Sequence, residues 1–250
     1  MHLSLFSLQK FQTASKTKAL KILDDGVSIL DSLEEAYVTN FPYPSLSAAS
    51  ADFTATLDVT SATNGKALKA VTTTLDAIDS MSQDAQTLET FVHLHIPQME
   101  DGGNFGVSIQ LALVKQISDL QEATKKSIED LAGYAGARAD AIDKLKLPSA
   151  SSSITKSTST STTDGKKEDK TSEATEEKTT TNDGPGTSGY DSRVAALVAV
   201  DMLYYAKAKR AYQSTMTLYV ATLDFLDKNK EKLTKPKGNE GSSRGYSSMY

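Results

Sequence analysis

The 250-residue chain has no cysteine and no tryptophan, with only 14 glycines and 6 prolines. Without cysteine there can be no disulfide framework, thiolate nucleophile or cysteine-ligated zinc. A β-sandwich needs aromatic and β-branched strands divided by regular turns. Here only 7% of residues are aromatic, and Ala, Leu, Lys, Glu, Asp, Ser and Thr lead the composition. A basic surplus is also missing. The net charge of -5 argues against nonspecific binding to nucleic acid, which requires a basic surface. The longest apolar run, Val194 to Val200, is far below the roughly 20 residues that cross a bilayer, so no membrane partner is expected. The N-terminal MHLSLFSLQKFQ lacks the basic region and small-residue cleavage site of a signal peptide. The expected location is therefore the cytoplasm, the nucleus or both.

What remains is helical periodicity. Leu20, Leu23, Val27, Leu30, Leu33 and Tyr37 step by three and four, the spacing of one helix face. Asn40-Phe41-Pro42-Tyr43-Pro44 ends that segment, because proline cannot continue a helix and biases its predecessor away from helical backbone. A short helix is allowed near Asp52 to Leu57. After Thr63-Asn64-Gly65 the same steps run through Leu68, Val71, Leu75, Ile78, Met81, Ala85, Leu88 and Val92 to Pro97. A third run starts near Gly106 and carries Val114, Ile117, Leu120, Ile128, Leu131, Ala135, Ile142 and Leu145 to Pro148. The fourth spans about Asp191 to Leu233, with Val194, Val198, Tyr205, Tyr212, Tyr219, Leu223 and Leu226 on one face. Long amphipathic helices with breaks between them predict an all-α, up-down-up-down bundle of four long helices.

That topology puts the connection between helices two and three at the same end as the C-terminus. Residues 149–189, SASSSITKSTSTSTTDGKKEDKTSEATEEKTTTNDGPGTSG, are Ser/Thr-rich, mixed in charge and nearly free of large apolar side chains. Such a composition cannot bury enough surface to offset its ordering entropy, so a disordered insert is expected between helices three and four. Residues 235–250 read as a flexible C-terminal tail. The expected organisation is one domain over 1–250. From Val194 to Leu203 the fourth helix is apolar nearly all round, interrupted by Asp201. Such a helix is buried on more than one side, which suggests packing against another copy.

The connection PQMEDGGNFGVSIQ, residues 97–110, is the most pointed stretch. It lacks the G-x-x-x-x-G-K-[ST] of a P-loop and the alternating oxygen ligands of an EF-hand. His93 and His95 are two apart, whereas a helical zinc pair requires four. No nucleophile-base order and no clustered carboxylate pair stands out. The reading is therefore noncatalytic, with no metal and no cofactor.

Ile96-Pro97, Glu100-Asp101-Gly102 and Asn104-Phe105-Gly106-Val107-Ser108-Ile109-Gln110 together resemble the activation-loop motif of the 11S proteasome activator family. Weaker likenesses lie at Phe41-Pro42, at Arg138-Ala139-Asp140-Ala141, at Asn229 to Gly238 and at the closing Ser248-Met249-Tyr250. Gly103 stands where members commonly have Asn, and the charged insert falls between helices three and four where members usually carry it between one and two. The resemblance implies sevenfold rings that dock on the α-ring of the 20S proteasome and open its gate without ATP. It implies a homo-oligomer, most simply a heptamer. It also implies an activation loop of Pro97, Glu100, Asp101, Gly102, Gly103, Asn104, Phe105 and Gly106, and a proteasome-binding tail of Ser248, Met249 and Tyr250. The alternative is a noncatalytic oligomeric helical adaptor or scaffold, indifferent to changes at the tail and loop.

Overall fold

A computed structural model describes residues 5–61, 63–97, 105–145 and 188–236. Among them are eight helices and no strand: α1 Leu5–Asp24, α2 Gly26–Asn40, α3 Leu46–Ala55, α4 Gly65–His95, α5 Phe105–Ala132, α6 Tyr134–Leu145, α7 Ser188–Lys228 and α8 Lys230–Thr234. Helix hydrogen bonding runs on across three of the breaks. Ile29 N–H donates to the Asp25 carbonyl at 3.0 Å, Ala137 to Gly133 at 3.0 Å and Leu233 to Asn229 at 2.9 Å. The pairs α1–α2, α5–α6 and α7–α8 are thus three long, slightly broken rods, and α4 is the fourth.

Side-chain bonds fix the directions of these rods. Gln12 Nε2 donates to the Leu94 carbonyl at 3.1 Å, and Thr73 Oγ1 donates to Asn40 Oδ1 at 3.3 Å, so α1–α2 and α4 run antiparallel. Gln121 of α5 reaches Glu89 of α4 at 2.9 Å, while Asn64 N–H reaches the Tyr134 hydroxyl at 3.3 Å. These two rods are therefore antiparallel as well. Tyr212 of α7 donates to the Leu33 carbonyl at 2.7 Å, and Tyr219 donates to Asp84 Oδ2 at 2.6 Å. The result is the expected up-down-up-down order.

The core is a set of stripes at helical spacing. On α4 it comprises Ala67, Ala70, Val71, Thr74, Ile78, Met81, Ala85, Leu88, Phe91 and Val92. Tyr205, Tyr212 and Tyr219, seven apart on α7, are all buried. Phe41, just before the Pro42 break, packs its ring on Tyr37, Tyr205 and Tyr212 at centroid distances of 5.2, 5.4 and 6.0 Å. Asn64 caps α4 as its sequence position predicts, its side chain accepting from Lys66 and Ala67 N–H groups at 3.0 and 3.3 Å.

Several expectations need correction. The first rod begins at Leu5, well before the apolar stripe that starts at Leu20. Val27 is 75% exposed, and Gly26 beside it is buried, its Cβ position at an ordinary contact distance of 3.8 Å from Leu223 Cδ1. The helix therefore turns Gly26, and not Val27, toward α7. Ile128 is likewise exposed; Ser127 and Leu131 hold the inward positions. The short helix lies at Leu46–Ala55, upstream of the expected Asp52 to Leu57, because Ser45 caps it by accepting from Ala48 N–H at 3.1 Å. Residues 149–187 and the tail beyond 236 lie outside the described residues.

A buried polar cluster secures the end away from the α4–α5 connection. Arg138 Nε lies 3.4 Å from Asp201 Oδ1, both side chains being at most 1% exposed. Tyr134 donates to the same Asp201 oxygen at 2.8 Å, and Arg138 Nη2 donates to the Asp58 carbonyl at 3.3 Å. Burial pushes the Asp201 carboxyl above the usual carboxylate range, opposed by the Tyr134 hydroxyl and the Arg138 charge. Gly133, just before Tyr134, leaves room for a tyrosine of α7: a Cβ there would sit 2.8 Å from the Tyr204 hydroxyl. Asp201, the one interruption of the apolar run, is thus a core partner.

Arg138→Met is expected to destabilise the fold by about 3 to 5 kcal/mol, since it strands a buried charge. Asp201→Asn in the same chain should recover part of that loss in urea denaturation. Full recovery of wild-type stability would mean the cluster has no role beyond filling space. Tyrosines supply a second test. Burial raises the hydroxyl of Tyr212 above the ordinary 10.0, raises those of Tyr134 and Tyr219 well above it, and pushes Tyr205 up to about 12. Their folded values exceed their unfolded values. Their contribution is therefore intact below about pH 10 and lost as pH climbs from there toward the folded values. In an alkaline titration, part of the tyrosinate absorbance should appear only together with loss of helical circular dichroism. Complete ionisation with helicity intact would contradict the burial.

Candidate functional site

Both ends of the 97–104 connection are firmly placed. Ile96, which closes α4, has φ -68° and ψ 118°, the extended backbone that a following proline imposes. Pro97 is half-buried at the exit. Glu100, Asp101, Gly102, Gly103 and Asn104 lie outside the described residues, as do Ser248, Met249 and Tyr250. Phe105 opens α5 and is 68% exposed. Gly106 is buried.

The root of the tail lies against this site. A Cβ on Gly106 would come within 2.2 Å of the Pro236 carbonyl oxygen and 2.5 Å of its Cα. No other residue fits without moving the chain. The Lys232 ammonium stands 6.0 Å from the centre of the Phe105 ring. Gln110, fully buried, donates from Nε2 to the His95 carbonyl at 3.0 Å and to the Leu233 carbonyl at 3.3 Å. The structure thus brings Pro97, Phe105 and Gly106 to one end of the bundle with Leu233 and Pro236. Sequence reasoning placed loop and tail at the same end but missed Gln110 and Pro236 as the parts that join them. The available signal was a glutamine on the buried stripe Gly106, Gln110, Leu113, Ile117 and Leu120.

The two histidines do not converge. His93 is exposed, with Nε2 3.8 Å from Glu89. His95 turns its ring onto Phe91, centroids 4.6 Å apart, with Nδ1 2.7 Å from the Phe91 carbonyl. Among the described residues no group of three or more His, Asp or Glu side chains could hold a metal ion, and no helix is long and apolar enough to cross a membrane.

The first half of α7 presents two outer flanks. Val194, Val198, Ala199 and Met202 form a shallow apolar groove with Leu46 of α3. On the other flank Leu203, 51% exposed, sits among Ala206, Lys207, Arg210 and the α5 residues Lys126 and Asp130. The helix buries its inward face on the bundle and leaves apolar side chains outward on both sides.

Among the described residues, a four-rod bundle brings the borders of the α4–α5 connection and α8 to one end, and known proteins have a similar fold. The chain's fold is similar over 94% of its length to a chain in the crystal structure of an archaeal 20S proteasome in complex with a mutated P26 activator, with a TM-score of 0.59, 15% identity and 96% of that chain covered. It is also similar to the 11S subunit PA28 of the Plasmodium falciparum proteasome, with a TM-score of 0.58, 17% identity, and 92% of each chain covered. In sequence, residues 60–151 match the family "Proteasome activator PA28, C-terminal". A relative from Dictyostelium discoideum, "Proteasome activator 28", is 33% identical over 66 residues. That match spans 24% of this chain and 29% of the relative. Over residues 60–151 the sequence is similar to the C-terminal part of the PA28 proteasome activators, and the whole fold is similar to that of solved 11S activators. The matched segment runs through α4, the connection, α5 and α6, and so is centred on the candidate site.

Proposed function

We propose that this protein is an ATP-independent activator of the 20S proteasome. The observation that carries the reading is the joining of the 97–104 connection and the tail root at one end of the bundle through Gln110 and Gly106. In the proposed mechanism, copies of the chain form a ring, most simply a homo-heptamer, as a single domain with a distal insert that ends where α7 begins at Ser188. The tails, ending in Ser248, Met249 and Tyr250, enter pockets of the proteasome α-ring. Several tails on one rigid ring raise effective concentration, and avidity can gain about 10² to 10⁴ over a single tail. The loop from Pro97 to Gly106 then displaces the gate. The role is regulatory and noncatalytic, and the compartment is the cytoplasm or nucleus that holds the proteasome.

The two flanks of α7 support the ring. A closed ring needs two different, complementary surfaces on each copy, and Met202 and Leu203 mark one on either side. Leu203→Asp is expected to preserve helicity while shifting sedimentation from a ring to single chains. A ring of unchanged size would remove this flank from the interface.

The function itself is tested by hydrolysis of short fluorogenic peptides by 20S proteasome, with and without the protein and with no ATP. Stimulation is expected. Deleting Ser248 to Tyr250 should abolish stable docking, whereas replacing Gly102-Gly103-Asn104 should leave docking largely intact and lose stimulation. Indifference to both changes would favour a helical adaptor or scaffold.

A further inference from the structure

The loop and the tail enter the proposed mechanism as separate devices, a lever and an anchor. We infer that they are mechanically one part, and that Gln110 is the positioning residue that makes them so. The inference rests on the activator reading and adds to it a link that fixes the height of the loop relative to the anchored tail.

Gln110 is 0% exposed. Its two acceptors, the carbonyls of His95 and Leu233, lie in the final turns of α4 and α8. The last four carbonyls of a helix have no partner within it, and the negative end of the helix dipole collects there. A side-chain amide carries two N–H hydrogens on one nitrogen, enough for one bond to each helix end. Because both partners are acceptors, the orientation of the amide is set by the network. Glutamate would oppose two acceptors with a third. Methionine would fill the space and leave both carbonyls without this donor.

One turn earlier on the same face of α5, Gly106 makes the second contact. The Pro236 backbone crosses where a Cβ would stand, so the tail root rests directly on the α5 backbone. Gly106 is held on Pro236 and Gln110 on Leu233, and Gln110 reaches back to His95. Both borders of the loop, His95 and Phe105, therefore cannot shift along the bundle axis relative to the tail root without breaking these contacts. A tail seated in a partner's pocket thus sets the axial position of the loop.

The test uses the full chain and two variants, Gln110→Met and Gly106→Ala, which attack the link in different ways. Three quantities are read: docking to 20S proteasome by surface binding, peptide hydrolysis at saturating activator, and amide hydrogen exchange of the free protein over residues 105–110 and 230–236. For each variant, tail-dependent docking should stay within about threefold of wild type while maximal stimulation falls about tenfold or more, the split expected when a group acts after binding. Exchange should accelerate in both segments together. A residue that only supports the fold would lower docking and stimulation in proportion, and that result overturns the proposal. Unchanged stimulation in both variants also overturns it. Should Gln110→Met fail to fold by circular dichroism, Gly106→Ala alone decides. If the wild-type protein itself fails to stimulate any proteasome, the activator reading falls. The exchange data then judge the link on their own: coupled acceleration supports it, and acceleration in neither segment or in only one rejects it.

Discussion

A hydroxyl or carboxyl carried into a protein core is costly there without a partner, and three such groups on α7 that find one set the axial position of every other long rod. Tyr212 donates to Leu33 on α2, and Tyr219 to Asp84 on α4. Asp201 accepts from Tyr134 on α6. Apolar stripes alone are tolerant, because one leucine on a ridge packs nearly as well one turn further along. A buried bond is not tolerant: sliding a helix by one turn, about 5.4 Å, would separate every one of these pairs. Register in this bundle thus depends on a few polar atoms, and the apolar core supplies the stabilisation around them.

Much of this was legible beforehand. The seven-residue step of Tyr205, Tyr212 and Tyr219 marked a buried face. Pro97, Phe41-Pro42 and Asn64-Gly65 marked breaks whose chemistry is local. What escaped reading has a common physical cause, namely positions decided by a neighbouring helix. The stretch before Leu20 forms helix although its buried positions are small or polar, Ser15 and Ala19, so no apolar stripe announces it. Gly26, and not Val27, takes the inward position facing α7. Gln110 reads as an ordinary polar residue in a helix until the ends of α4 and α8 are placed beside it. The resemblance to the activation-loop motif marked the right stretch, but it could not say that Gly106 faces the protein's own Pro236.

The two ends of the bundle are closed by different means. At one, a charge pair, a tyrosine and the short α3 fill the space between rods, and the borders of 146–187, Leu145 on α6 and the start of α7, lie beyond them. Side chains make those contacts, and each demands a particular partner. At the other end, backbone atoms take the leading part: the carbonyls of His95 and Leu233, and Pro236 crossing a residue without a side chain.

That difference bears on how force would pass through the proposed activator. A pull on the tail acts first on α8 and Pro236. It could dissipate if α5–α6 were free to slide along α7, but Arg138 and Tyr134 on α6 are held to Asp201 of α7 at the far end. Between the two ends α4, α5 and α7 each run as one unbroken helix, stiff along its axis. Displacement would then fall at the near end, where α8 is separated from α7 only by Asn229 and is tied to α5 and α4 through Gln110. A rigid far end makes a movable near end useful: the anchored tail and the loop borders shift together against a fixed frame, and do not spread the motion over the whole bundle.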